Sequence, residues 1–138
     1  MTNDVGFEEV EHTADWALHI WGRNLAQLCL HAALGLRQLL VADVVPTAPT
    51  IKREVTIEAY DAESLLVNWL TELAYWAEMT GIVFHRFVFK EVTSTSLRAT
   101  MWGAPVAALQ KHVKAVTYHN LQIIHTARGL EATVVFDV

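Results

Sequence analysis

Cysteine is almost missing from this 138-residue chain, where Cys29 stands alone. A single thiol excludes an intramolecular disulfide, and with no cysteine pair the usual zinc ribbons and fingers are excluded too. The neighbours of Cys29 in LAQLCLHAAL are leucines and alanines at helical spacing. It therefore reads as a small buried side chain of a reducing interior rather than a nucleophile, and the cytoplasm is the expected location. Charge is scarce as well, 18% of residues with a formal net charge of -5. That excludes a broad electrostatic grip on nucleic acid unless a local basic patch exists, so an RNA-related role is expected to run through another protein. No apolar run is long enough to cross a bilayer, and MTNDVGFEEVEH has acids where a signal peptide needs positive charge. Neither export nor a membrane partner is expected. Glycine-rich phosphate loops, a nucleophile elbow and the paired histidines of zinc proteases are all missing, which removes the usual marks of kinase, dehydrogenase and hydrolase.

What is abundant is apolar material, 53% of the chain, enough for the core of one domain over residues 1–138. There is no internal repeat, and the only linker-like segment is VPTAPT at residues 45–50, which reads as a loop. A short strand at Phe7 to Val10 precedes a second in which Trp16, Leu18 and Ile20 alternate with Ala17, His19 and Trp21, closed by Gly22. Asn24 and Gln27 have capping-box spacing, and Leu25, Leu28, Ala32, Leu36 and Leu39 then give a helix from Leu25 to Leu40. Ile51 to Tyr60 alternates as a half-buried strand. Asp61 caps a second helix, traced by Leu65, Leu66, Trp69, Leu70, Leu73 and Trp76 and closed by Gly81. A hairpin through Thr93, Ser94 and Thr95 joins strands at Ile82 to Glu91 and Leu97 to Trp102. A short helix at Ala107 to His112 and two strands, Lys114 to His125 and Leu130 to Val138, complete the chain. Hairpins outnumber crossovers, which predicts an α+β fold of two main helices packed on a mixed, largely antiparallel sheet.

Three groups of residues invite chemistry. Glu11, His12, Thr13, Ala14 and Asp15 connect two predicted strands, where a carboxylate and an imidazole can meet a ligand; equally, Thr13 and Asp15 can bond nearby backbone to shape the turn. Alternation in the last strand turns Leu130, Ala132, Val134 and Phe136 one way and Asp137 the other. With the terminal carboxylate of Val138, Asp137 offers two adjacent oxygen donors suited to a hard cation if Asp15 approaches; the alternative is a frayed, solvated terminus. Lys114, Thr117, Tyr118, His119 and Asn120 form a dense polar segment. On a strand Thr117 and His119 share a face and Lys114 takes the other, serving either a nucleotide, RNA or partner contact or plain solvation. His19, His31, His85, His112 and His125 have no ligand spacing and read as individually satisfied residues.

EHTADWALHIWG, YDAESLLVNWLTEL, KAVTYHNLQI and the final VVFDV, in that order, resemble the archease family along nearly the whole chain. The resemblance implies the archease fold and a protein that is not an enzyme but a protein cofactor. It implies as partner the GTP-dependent RNA ligase that joins 3'-phosphate or 2',3'-cyclic phosphate ends to 5'-hydroxyl RNA ends in tRNA splicing and RNA repair. Family members promote guanylylation of the ligase histidine and allow multiple turnover, so RNA is met through the ligase. The resemblance also implies a divalent metal site, carried onto Asp15, Asp137 and Val138. Oxygen-only ligation there favours calcium, or magnesium or manganese, over zinc. His12, Lys114, Thr117 and His119 are then expected to contact the partner or a phosphate. The alternative role is a chaperone or specificity modulator of an RNA-modifying enzyme such as a tRNA methyltransferase.

Overall fold

The structure is a computed structural model describing residues 5–11, 16–41 and 50–138. The segment 42–49, with most of the expected proline loop, lies outside those residues, as do His12 and Asp15. Helix α1 (Leu25–Leu40) begins where Asn24, in extended backbone, accepts the Gln27 N–H. Gln27 reaches back, but to the Arg23 N–H at 2.7 Å rather than to that of Asn24. The capping box is thus closed one residue early. Helix α2 (Ala62–Thr80) begins at Asp61, whose carboxylate accepts the Ser64 N–H at 2.7 Å. It ends at Gly81, whose φ of 75° suits a residue without Cβ. Removing that cap by Asp61→Ala is expected to cost about 0.5–2 kcal/mol, read as a lower urea midpoint. Unchanged melting would assign the carboxylate another role.

Both helices are apolar round much of their girth. On α1, Leu28, Cys29, Ala32, Ala33, Leu36, Leu39 and Leu40 are all buried, a set too wide for one stripe. Such a helix needs cover on two sides, and the strands supply it as two sheets rather than the one expected. The first contains β1 (Phe7–Glu11), β2 (Trp16–Gly22), β6 (Ala115–Thr117), β7 (Ile124–Thr126) and β8 (Gly129–Asp137). Its order is β1-β2-β8-β6, with β7 also on β8. The second is β3 (Ile51–Glu58), β5 (Ser96–Pro105) and β4 (Ile82–Val92), ordered β3-β5-β4. Every pairing among the described residues is antiparallel. Each helix touches strands of both sheets, so the helices form the middle layer and one face of each sheet turns outward. Two helices packed on antiparallel strands in one domain are the α+β architecture that the periodicity indicated.

The core centres on Trp69, fully buried on α2. Its Nε1 donates to the Cys29 carbonyl of α1 at 3.0 Å. Phe87 and Phe89 of β4 meet its ring edge-on, with centroids 5.6 and 5.5 Å away.

Two expectations need correction. The segment Ala107 to His112 is not helical. Its alanines favour a helix locally, but the Gln110 N–H, which a helix would aim at the Val106 carbonyl, bonds the Leu40 carbonyl, and the Val106 N–H anchors the start of the segment on the Gly81 carbonyl. The strand Lys114 to His125 is two short strands, β6 and β7, both on β8. Asn120 breaks it at φ 51°, in the left-handed region that asparagine tolerates, and Leu121 N–H closes the turn onto the Tyr118 carbonyl. Strand alternation therefore stops at Thr117, and His119 belongs to the turn. After β7 the chain reverses through Gly129 at φ 108°, where a Cβ would lie 2.5 Å from the Gly22 carbonyl oxygen.

Candidate functional site

Three of the four sequence motifs meet at one end of the first sheet, and the other touches it farther along. Trp16 of the first motif pairs with Phe136 of the last. Ala115, Val116 and Thr117 of the third pair with Asp137, Phe136 and Val135. The second contributes Glu63 on α2, whose carboxylate accepts the Ile123 N–H at 3.0 Å and ties the turn after β6 to the helix. The sequence reading gave Glu63 no role, although it stands inside the quoted DAES segment.

Val134 and Phe136 are buried toward the helices. By strand alternation Asp137 takes the outward side, and it is exposed. Its backbone carbonyl accepts the Lys114 N–H at 2.7 Å, while its carboxylate has no ion-pair partner among the described residues. Val138 is half-buried and packs against the core. Thr117 donates its hydroxyl to the Val135 carbonyl at 3.0 Å and accepts the His119 N–H at 3.3 Å. The exposed His119 ring has its Nε2 3.3 Å from the Asn120 amide nitrogen. Lys114 lines a cleft of about 370 Å³ between α2 and β6, with Tyr75, Glu78 and Met79 opposite. The register thus sets Lys114 beside Asp137 and Thr117 beside Val135, while His119 follows in the turn beyond the other end of β6. His12 and Asp15 lie outside the described residues.

A second cation missed in the sequence is Lys111, whose ammonium sits 3.8 Å above the Trp16 ring. Only the packing of the segment after β5 reveals it.

Among the described residues no three His, Cys, Asp or Glu side chains gather into a metal-binding cluster. Among the described residues Asp137 offers one exposed carboxylate, an oxygen donor of the kind that hard cations take. Three of the histidines are engaged elsewhere. His19 spans Thr133 at 2.8 Å and Glu131 at 2.7 Å, His31 donates to the Trp21 carbonyl, and His112 pairs with Glu78 at 3.0 Å. Hydrogen bonds from Thr126 and His19 hold the Glu131 carboxyl below the usual carboxylate range. Burial lowers His85, helped by the charge of Arg37. Cys29 is buried and its thiol is pushed up to about 12, so it stays protonated and unreactive. No helix among the described residues is long and apolar enough to cross a membrane.

Fold and site together define a small α+β domain with three of its motifs gathered at one end of an antiparallel sheet. Residues 7–138 match the family described as the Archease protein family (MTH1598/TM1083). Protein archease of Methanosarcina acetivorans is 34% identical over 140 residues, 96% of this chain and 95% of the relative. Protein archease of Saccharolobus solfataricus is 34% identical over 137 residues, 96% of this chain and 98% of the relative. The chain belongs to the archease family. Its fold is similar to the solution structure of protein 1598 of Methanobacterium thermoautotrophicum, with TM-score 0.73, 27% identity, and coverage of 97% of this chain and 99% of that one. It is similar also to a crystal structure from Thermotoga maritima described as an archease and possible chaperone, with TM-score 0.68, 23% identity, and coverage of 95% and 96%.

Proposed function

We propose that this protein is a metal-binding activator of the GTP-dependent RNA ligase that joins 3'-phosphate or 2',3'-cyclic phosphate ends to 5'-hydroxyl ends, acting in the cytoplasm in tRNA splicing and RNA repair. Catalysis stays on the ligase. The observation that carries this reading is the strand register, Trp16 opposite Phe136 and Ala115 opposite Asp137, which draws three motifs to one edge. Asp15 is bonded to Trp16, and Asp137 to Phe136, so chain connectivity favours both carboxylates serving one ion. Asp15, Asp137 and Val138 hold a calcium, magnesium or manganese ion in this reading. A cation bound there supplies positive charge against the repulsion among phosphate oxygens. Lys114, Thr117, His119 and His12 steady a phosphate or an acidic side chain of the ligase, holding the ligase nucleophile and the triphosphate in line.

The test is guanylylation of the purified ligase, with GTP and divalent metal, in the presence and absence of this protein at substoichiometric amounts. The expected result is faster acquisition of GMP by the ligase, with no GTP hydrolysis by this protein alone. GTP turnover without the ligase, or no gain in rate, would sink the proposal. The exposed Tyr75 and Met79 beside the cleft favour a second reading, a chaperone role. That role would raise the yield of folded client without changing the rate per folded ligase.

A further inference from the structure

The outward face of the three-stranded sheet carries an aromatic residue between two cations, with the nearest acid, Glu54, held chiefly by Lys90. Trp102 sits on the central strand β5, directly opposite Lys52 on β3 and Arg86 on β4. The Arg86 guanidinium lies 4.4 Å from the centre of the Trp102 ring and the Lys52 ammonium 5.9 Å. Both cations are exposed, and neither forms an ion pair among the described residues. Farther along the same face Lys90 reaches Glu54 at 2.8 Å, and Arg98 lies 3.9 Å from Glu91. Glu58 is at the far end, opposite Ser96. Of the acids on this face, Glu54 stands with Lys90 and more weakly with Lys52, Glu91 stands with Arg98, and Glu58 lies away from Trp102. Val88, 44% exposed, continues the face as an apolar step beside Thr100. Helices cover the other side of the sheet, where Phe84, Leu97, Ala99 and Met101 are buried.

We infer that this face binds single-stranded RNA, one base stacking on the Trp102 and Arg86 pair and the flanking phosphates meeting Lys52 and the guanidinium N–H groups. An open sheet with a central aromatic offers a stacking platform to an unpaired base, and an arginine plane extends it. Duplex RNA has its bases already stacked and needs a longer row of free cations than two. An acidic peptide would match the charge but would leave the ring unused. The low overall charge is no obstacle, because the basic patch required for nucleic acid is local. The choice of RNA over DNA rests on the ligase reading, and the inference extends that reading from RNA met through the ligase to RNA touched directly.

The experiment measures fluorescence anisotropy of a labelled single-stranded oligoadenylate of about 12 nucleotides with the full chain alone at low salt. No ligase or GTP is present, so this test and the guanylylation test can fail independently. Wild type is expected to bind, and the double variant Lys52→Glu, Arg86→Glu to bind about tenfold more weakly or worse, with its log-log salt slope reduced by about 1.4. Trp102→Leu is expected to weaken binding by about tenfold, while Trp102→Phe, which keeps a ring, retains most of it. Circular dichroism melting checks that each variant is folded; because Lys52 and Arg86 are exposed, the double variant decides the matter even if a Trp102 variant fails to fold. Three results would overturn the inference: no binding by wild type, equal binding by the double variant, or binding of duplex RNA or polyglutamate as tight as that of the single strand.

Discussion

Trp69→Ala is expected to remove most or all of the stability of this domain, a loss of about 3–5 kcal/mol against a total of about 5–15 kcal/mol. Trp69 is fully buried and joins three elements at once. It lies on α2, donates to a carbonyl of α1, and is held edge-on by two phenylalanines of β4. Alanine would leave a cavity that those neighbours cannot fill by small shifts, since helices in a middle layer are constrained from both sides. It would also leave the Cys29 carbonyl without its indole donor. Trp69→Phe separates the two effects. It keeps most of the ring volume and loses the hydrogen bond, so a smaller fall of about 1–3 kcal/mol is expected. Urea unfolding followed by far-UV circular dichroism checks both, and a Trp69→Ala midpoint close to wild type would show that the core is centred elsewhere.

How far the sequence can be read depends on whether neighbouring or distant residues determine each feature. Helix α1 from Leu25 to Leu40, the Asp61 cap and the Gly81 stop are set by side chains within a turn of their own backbone, and all three stand where the pattern put them. The β4–β5 hairpin is as local: Thr93 accepts the N–H groups of Thr95 and Ser96 through its hydroxyl. The non-helical course after Pro105 is set instead by Gly81 and Leu40, distant in sequence, and no local pattern announces them. The division into two sheets was implicit in the breadth of the apolar surface on α1, but strand periodicity alone does not say which strands pair. The site divides in the same way. Alternation along β8 identifies Asp137 as outward-facing. The approach of Glu63 to Ile123, of Lys111 to Trp16, and of Lys52 and Arg86 to Trp102 are products of packing, invisible until the strands are in register.

Asp137→Ala is expected to abolish the gain in ligase guanylylation while leaving the fold of this protein intact. The two halves of that expectation have separate physical grounds. Stability should change by no more than about 0.5 kcal/mol, because the side chain is exposed and substitutions at such positions are usually near neutral. The structural bond at this position, from Lys114 N–H to the Asp137 carbonyl, belongs to the backbone and survives the substitution. Function should suffer because, in the proposed site, the carboxylate is an oxygen donor to a hard cation that alanine cannot replace. Asp137→Asn sharpens the test. It keeps the shape and one carbonyl oxygen but removes the charge, so it should bind calcium or manganese at least about tenfold more weakly than wild type in calorimetric titration and give little activation. Asp15→Ala should behave as Asp137→Ala does, and Lys114→Ala should reduce the gain without removing it, because a cation that steadies a phosphate assists alignment and is not a metal donor. If Asp137→Ala activated the ligase as well as wild type, the carboxylate would be only the solvated end of a strand, and the activation would have to be sought on another face of the molecule.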